Sequence, residues 1–251
     1  MIEIEMSGSV AIARIVRGKG NALNIELLEA FDRCLDTLTA PDTRAVVITG
    51  KGSVFGAGVD LSELIAGGQD YVRRFIPLLN QVFERLAKFP KPLVAAVNGH
   101  AIAGGAILML ACDQRIAASG SARFGLTEIQ VGVPFPAWAL EIARFATPAE
   151  HFQTLILTGR TWGPAEALAR GLVDEVVEPE RLLERALEVA TELGALLPAT
   201  YAATKLAVRR PLFEAVAASA PSEAEVVEIW SSPRVLEQVS LFVERMIKRK
   251  A

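Results

Sequence analysis

Cysteine is scarce in this chain of 251 residues. Cys34 and Cys112 stand far apart, without CxxC or Cys/His spacing, which argues against a disulfide framework and a thiolate zinc site. A reducing, cytoplasmic setting follows as the expectation. Excess charge of one sign is also missing: 26 Lys and Arg face 29 Asp and Glu, a formal net charge of −3. Without a basic stripe, nucleic acid is not an expected partner. The longest apolar stretches, such as Ala101 to Cys112, fall short of the roughly 20 residues that span a bilayer, so no membrane is expected either. The opening Met1-Ile2-Glu3-Ile4-Glu5-Met6 is acidic and alternating, where a leader would be basic and then apolar. No serine lies in a G-x-S-x-G elbow, and a Ser/His hydrolase loses its motif.

What is present is hydrophobic residue, 51% of the chain, enough for one large α/β domain. Ile2 to Met6 and Val10 to Val16 flank Ser7-Gly8-Ser9 and read as a hairpin. Asn24 is placed to cap a helix whose apolar stripe is Leu28, Phe31, Leu35 and Leu38. Val72, Phe75, Leu79, Val82 and Leu86 mark a second helix, with a kink or late start expected at Pro77. Strands are expected at Ala45–Thr49, Lys91–Gly99 and Arg115–Ala118, and a helix from about Ala101 to Cys112. From Pro148 the pattern is mainly helical, ending in a helix from Ser232 to Lys250 with basic residues at its C-terminal end. No repeat of fixed period is visible. Strands alternating with helices predict an α/β architecture.

Two glycine-rich turns follow buried strands: Gly50 to Asp60 and Gly99 to Gly105. The first lacks a Walker Gly-Lys-Ser/Thr and the second lacks G-x-G-x-x-G spacing, so neither is a phosphate loop. Such turns can instead bring two bare backbone N–H groups against one carbonyl oxygen, which is an oxyanion hole. Glu128 lies among Leu126, Ile129 and Val131 with Phe135 and Trp138 close behind. An apolar setting raises a carboxyl pKa toward the range useful for proton transfer. The pair of features suits chemistry through an enolate.

Phe55-Gly56-Ala57-Gly58-Val59-Asp60-Leu61, Lys91 to Ala101, Ala103-Gly104-Gly105, Cys112-Asp113 and Phe124 to Gly132 resemble, in order and spacing, the signature segments of the crotonase (enoyl-CoA hydratase/isomerase) superfamily. The likeness is dense from Phe55 to Asp174 and thin in the helical tail. It implies a crotonase-like β-β-α spiral over 1–195 with a helical C-terminal oligomerisation region over 196–251, assembled as a homotrimer or a dimer of trimers. It implies an acyl-CoA thioester substrate, with coenzyme A entering as part of that substrate and no other cofactor or metal. By position, the Val59 and Gly104 N–H groups would receive the thioester oxygen, and Ala22, Ala57, Asp60 and Leu61 would lie along the nucleotide. For Asp60, capping a helix is the equal alternative. Ile107, Phe135 and Trp138 would wall the acyl group.

Hydratases of this superfamily carry two glutamates, and the resemblance puts the first at Ile107, which can neither hold nor activate water. One glutamate suffices for moving a proton from C2 of a 3-enoyl-CoA to C4. The segment Gly125 to Trp138 resembles single-glutamate Δ3,Δ2-enoyl-CoA isomerases. The expectation is therefore an isomerase of fatty acid metabolism. The alternatives are an atypical hydratase, another lyase or hydrolase on the same scaffold, or a catalytically silent member. His100 is expected to be structural, and Cys112 to pack inside a helix with no basic neighbour. The apolar residues Val226, Trp230, Val235, Leu236, Val239, Leu241 and Phe242 are expected to form a subunit contact.

Overall fold

A computed structural model describes residues 1–248, apart from the side chains of residues 220–222. The chain opens with the expected hairpin, β1 (Ile2–Ser7) against β2 (Val10–Ile15), and then α1 (Ile25–Leu38). Asn24 caps α1 by accepting the Leu27 N–H at 2.9 Å. Three turns of one pattern follow. The first is β3 (Ala45–Gly50), β4 (Val54–Gly56) and α2 (Leu61–Ala87). The second is β5 (Leu93–Val97), β6 (His100–Ile102) and α3 (Gly104–Leu110), and the third is β7 (Gln114–Ala118), β8 (Phe124–Gly125) and α4 (Glu128–Val131). The expected β-β-α spiral is present. The repetition was invisible in the sequence because the three helices have 27, 7 and 4 residues, so no fixed period exists.

Next come α5 (Ala137–Ala146), α6 (Ala149–Thr158), β9 (Thr161–Trp162), α7 (Pro164–Ala169) and β10 (Glu175–Val177). After a 3-10 turn the chain is helical: α8 (Leu182–Gly194), α9 (Pro198–Val208), α10 (Arg210–Ser231) and α11 (Pro233–Lys248). The expected end of the last helix at Lys250 lies outside the described residues. The first strand of each spiral turn enters a six-stranded sheet ordered β1-β2-β3-β5-β7-β10, and the second enters a four-stranded sheet ordered β4-β6-β8-β9.

The central strands β3 and β5 of the six-stranded sheet are buried on both faces, as their near-continuous apolar sequences require, while the edge strand β1 is largely exposed. Along β3, Val46 and Ile48 join the main core with α1 and α2, while Ala45 and Val47 pack against Leu182, Ala186 and Ala190 of α8. The period-two alternation of a strand makes this division. Two sequence expectations fail locally. Helix α2 breaks at Gly68 (φ 58°, ψ −146°), a backbone state that glycine takes without strain, and not at Pro77. The segment expected to open a helix at Ala101 is instead a short strand, pairing with β4 and β8, before α3 begins at Gly104.

A buried ion cluster ties the spiral to α9. Asp113 accepts the Leu93 N–H at 2.8 Å, Lys205 Nζ at 2.6 Å and Arg209 at 2.7 Å. Lys205 also reaches the Lys91 carbonyl at 3.1 Å, and Arg209 reaches those of Ala87 and Ala111 at 2.9 and 3.0 Å. With Asp113 removed, two buried cations lose their counter-charge, and breaking such a cluster typically costs about 3–5 kcal/mol. Asp113→Ala is expected to lower unfolding stability in urea by that amount; a loss below about 1 kcal/mol would show the cluster to be solvated in solution.

Candidate active site

Val59, Gly104 and Glu128 occupy equivalent places, each just after the second strand of a spiral turn and at the entry of its helix. Stacking the turns therefore brings the three together, and all line one cavity of about 430 Å³. Backbone contact sets their spacing. A Cβ at Gly105 would stand 2.1 Å from the Gly56 carbonyl oxygen, and one at Gly58 would stand 2.7 Å from the Ala103 Cβ. Only bare backbone lets the two loops approach so closely. Gly58 (φ 84°) and Ala103 (φ 51°) both hold left-handed backbone, and for alanine that is strain of the kind found where a functional loop is over-determined.

The two candidate donors are unused by the fold. Leu23 bridges Val59 through its own N–H to the Gly58 carbonyl (2.6 Å) and through the Asp60 N–H to the Leu23 carbonyl (2.8 Å), which leaves the Val59 N–H out. Gly104 is the first residue of α3 and has no intrahelical acceptor. Asn21 and Asn98 hold the loop between β3 and β4 by bonds to Lys51, Val54, Gly50 and Gly52 backbone.

Glu128 is 8% exposed, and its Oε2 is buried without a hydrogen-bond partner. Burial pushes its carboxyl up from an ordinary 4.5 to about 8. Among the described residues it is the sole carboxylate lining the cavity. Ile107, fully buried, lines the same cavity, as do Leu79 and Phe83 of α2, Val131, Val133, Pro136 and Ala139. His100, Arg123, Thr127, Gln130 and Thr161 supply its polar lining. His100 accepts the Arg123 backbone N–H at Nδ1 (3.1 Å), so it is held by the fold as expected while also facing the cavity.

Phe135 and Trp138 are not part of the cavity wall. Pro136 starts α5, and the helical period puts Pro136 and Ala139 on the cavity side. Trp138 turns the other way, toward Phe213 (6.1 Å between rings) and under Lys88 Nζ (5.6 Å), and Phe135 packs on the core. Ala57 and Leu61 line the cavity; Ala22 and Asp60 do not. The Ala22 carbonyl accepts from Arg17 at 2.9 Å. Asp60 caps α2 by accepting the Ser62 and Glu63 N–H groups at 3.2 Å and pairs with Arg17 at 2.8 Å, so its carboxylate does what the capping alternative required. Cys112 lies just past α3, not inside it, and Lys205, Arg209 and Arg115 stand near enough to act on it. Burial outweighs them and pushes its thiol up to about 12.

The cavity's far side is built by helices that no local motif marks. Trp230 of α10 and Phe242 and Met246 of α11 line it. The apolar run expected to contact another subunit is largely turned inward: Trp230 is 2% exposed, Val239 fully buried, and Val226, Val235, Leu236 and Phe242 pack on the core. Leu241 alone of that set is exposed. Among the described residues no group of three His, Cys, Asp or Glu could hold a metal ion, and no helix is long and apolar enough to cross a membrane.

Because the folded state binds the Glu128 proton more tightly than the unfolded chain, its contribution to stability is full below about pH 4.5 and is lost as pH rises to about 8. Glu128→Gln carries no such penalty. Its stability advantage over wild type is expected to widen by up to ~1.4 kcal/mol per pH unit across that window. Parallel thermal unfolding series from pH 4.5 to 8 that never diverge would place the carboxyl in water.

A sequence profile described as "Enoyl-CoA hydratase/isomerase" matches residues 5–248. The short-chain-enoyl-CoA hydratase of Clostridium acetobutylicum is 34% identical over 247 residues, 96% of this chain and 94% of the relative. Hydratase names predominate among the curated relatives. An enoyl-CoA isomerase structure from Mycobacterium tuberculosis superposes with a TM-score of 0.82 at 32% identity, covering 89% of this chain and 97% of its own. A second structure of that protein, described as a probable enoyl-CoA hydratase, superposes with a TM-score of 0.81 at 34% identity, covering 89% and 94%. The human mitochondrial Δ3-Δ2-enoyl-CoA isomerase superposes with a TM-score of 0.94 at 25% identity, covering 100% of this chain and 99% of its own.

Proposed function

Because the chain belongs to the enoyl-CoA hydratase/isomerase family, and so works on acyl-CoA thioesters, we propose that it isomerises 3-enoyl-CoA to 2-enoyl-CoA. The observation that carries this reading is the pairing of Glu128, the one carboxylate that the described residues put in the cavity, with fully buried Ile107 in the same lining. Hydration needs a second group to hold and activate water. An apolar wall instead excludes it.

In the proposed step the thioester oxygen receives the Val59 and Gly104 N–H groups. The Glu128 carboxylate takes the proton from C2, the electron pair of that C–H bond forms a dienolate, and its charge rests on the oxygen between the two donors. Glu128, now a carboxylic acid, returns the proton to C4. The double bond has moved from C3–C4 to C2–C3, Glu128 is a carboxylate again, and no water is consumed. Ala57 and Leu61 are assigned to the coenzyme end, where Ala22 and Asp60 would contribute backbone only, and Ile107 to the acyl end. The proposed assembly is a homotrimer or dimer of trimers in the cytoplasm. Its apolar contact would come from exposed side chains such as Leu157, Leu197 and Val208, since the C-terminal stripe is engaged internally. Light scattering at micromolar concentration is expected to give at least the trimer mass, and a monomer mass would remove this assembly.

Glu128 must start as a carboxylate, yet burial raises its carboxyl to about 8. Isomerase kcat/KM is therefore expected to rise with pH through about that value, because it reports the free enzyme. Glu128→Gln should lower isomerisation and C2 proton exchange in deuterated water together, by ~10²–10⁴-fold, while acyl-CoA binding measured by calorimetry changes much less. Full activity in folded Glu128→Gln would reject the mechanism. Hydration of 2-enoyl-CoA by the wild type at the isomerisation rate would transfer the assignment to a hydratase and leave Glu128 in its role.

A further inference from the structure

The helix α11 is attached to the rest of the molecule in an unusual way. Among the described residues, no side-chain hydrogen bond or ion pair joins it to another element: Ser240 bonds the Leu236 carbonyl and Arg245 bonds the Leu241 carbonyl, both within the helix. The helix touches α2, α10 and α4 and carries a stripe at helical spacing, with Val235, Leu236, Val239 and Phe242 on the core and Phe242 and Met246 on the cavity. The chain enters it through Ser232, extended at ψ 141°, and Pro233. Just before that joint, Trp230 is fixed by its indole N–H to the Pro134 carbonyl at 2.8 Å. The fixed point is thus the end of α10, and everything beyond it rests on apolar contact.

Two residues of this stripe reach the cavity that holds Glu128. Phe242 is half-buried, and Met246 lines the cavity while 41% exposed. Leu79 and Phe83 on α2 line the same cavity and belong to the main core, which fixes them. We propose that Phe242 and Met246 determine which acyl lengths the enzyme accepts, forming a yielding end wall on a helix that longer chains must displace. This inference rests on the acyl-CoA reading of the cavity but not on which reaction occurs there. The same helix also touches the site's catalytic element. A Cβ at Gly132, the left-handed cap of α4, would stand 2.9 Å from Gln238 Cγ of α11. Displacing α11 therefore removes a packing partner from the four-residue helix that begins at Glu128.

The test uses saturated acyl-CoAs of four to sixteen carbons, which bind but have no double bond to move. Their affinities for the full chain are measured by calorimetry. Each methylene buried adds about 0.8 kcal/mol, or roughly fourfold in affinity, so the wild type should show that rise and then a break where the acyl end meets Phe242 and Met246. Phe242→Ala is expected to carry the rise on for two or more further carbons, and Met246→Trp to bring the break to shorter chains. Leu241→Ala, on the outer face of α11 at 47% exposure, is expected to leave the break where it was and reports any general loosening of the helix. An unmoved break in both wall variants, or a loss of affinity equal at every length, overturns the proposal. Breaks that move as described in an enzyme with no isomerase turnover at any length would sustain the wall and remove the isomerase reading alone.

Discussion

Close backbone contact between the loops that follow β4 and β6 is the constraint on which the site depends. Gly56 lies against Gly105, and Gly58 against Ala103, at separations that leave no room for a Cβ. Because each loop is the same point of successive spiral turns, their approach fixes the distance between two N–H groups that the sheets leave unpaired. The next turn then delivers Glu128 at the matching position, with its own short helix. The three parts of the proposed site thus come from one repeated joint. Positional accuracy derives from strand register, with Ala101 against Phe124 and Ile102 against Gly125, and not from flexible side chains. The strained backbone at Ala103 is what that accuracy costs locally.

Two carboxylates show how differently the same fold treats charge. Asp113 is surrounded by a backbone N–H, an ammonium and a guanidinium, all within 2.8 Å, so its charge is matched and it serves as a clamp between the spiral and α9. Glu128 has an oxygen with no partner at all, so burial outweighs the hydrogen bond from its own backbone and pushes its carboxyl up to about 8. A structural carboxylate gains partners; in the proposed mechanism Glu128 is kept without them, which raises its basicity toward the substrate's C2 proton. The polar residues of the cavity, His100 and Arg123 among them, satisfy one another or the backbone and leave Glu128 alone.

Much of the spiral was legible because its signals are local. Buried strands, the Asn24 cap and the two glycine loops each follow from a few adjacent residues. Glu128 was legible for the same reason, through its apolar neighbours. Helix α2 was misread at Pro77 because a proline is a general helix breaker, whereas the real break needed a backbone state that Gly68 supplies without leaving any period in the sequence. Phe135 and Trp138 were misplaced by a different route: adjacency in sequence suggested adjacency to Glu128, but α5 begins between them and rotates Trp138 away. The far wall was the least legible part. Apolar spacing on α11 says that a face is covered, and does not say whether another subunit, the core or a substrate covers it.

That limit also explains why similarity assigns the family more readily than the reaction. Identity to hydratases and to isomerases accumulates over strands, glycine loops and core helices, and those parts position a thioester oxygen whichever reaction follows. The choice between adding water and returning a proton depends on a few side chains around the acyl group, of which Ile107 is one position in 251. In the proposed mechanism a second carboxylate there would hold a water molecule in the path of the dienolate; an isoleucine, in a lining shared with Phe83 and Ala139, would leave the bound proton of Glu128 as the nearest electrophile. The proposed oxyanion hole would make the enolate accessible, and the polarity of the lining around the acyl group would decide what it meets next.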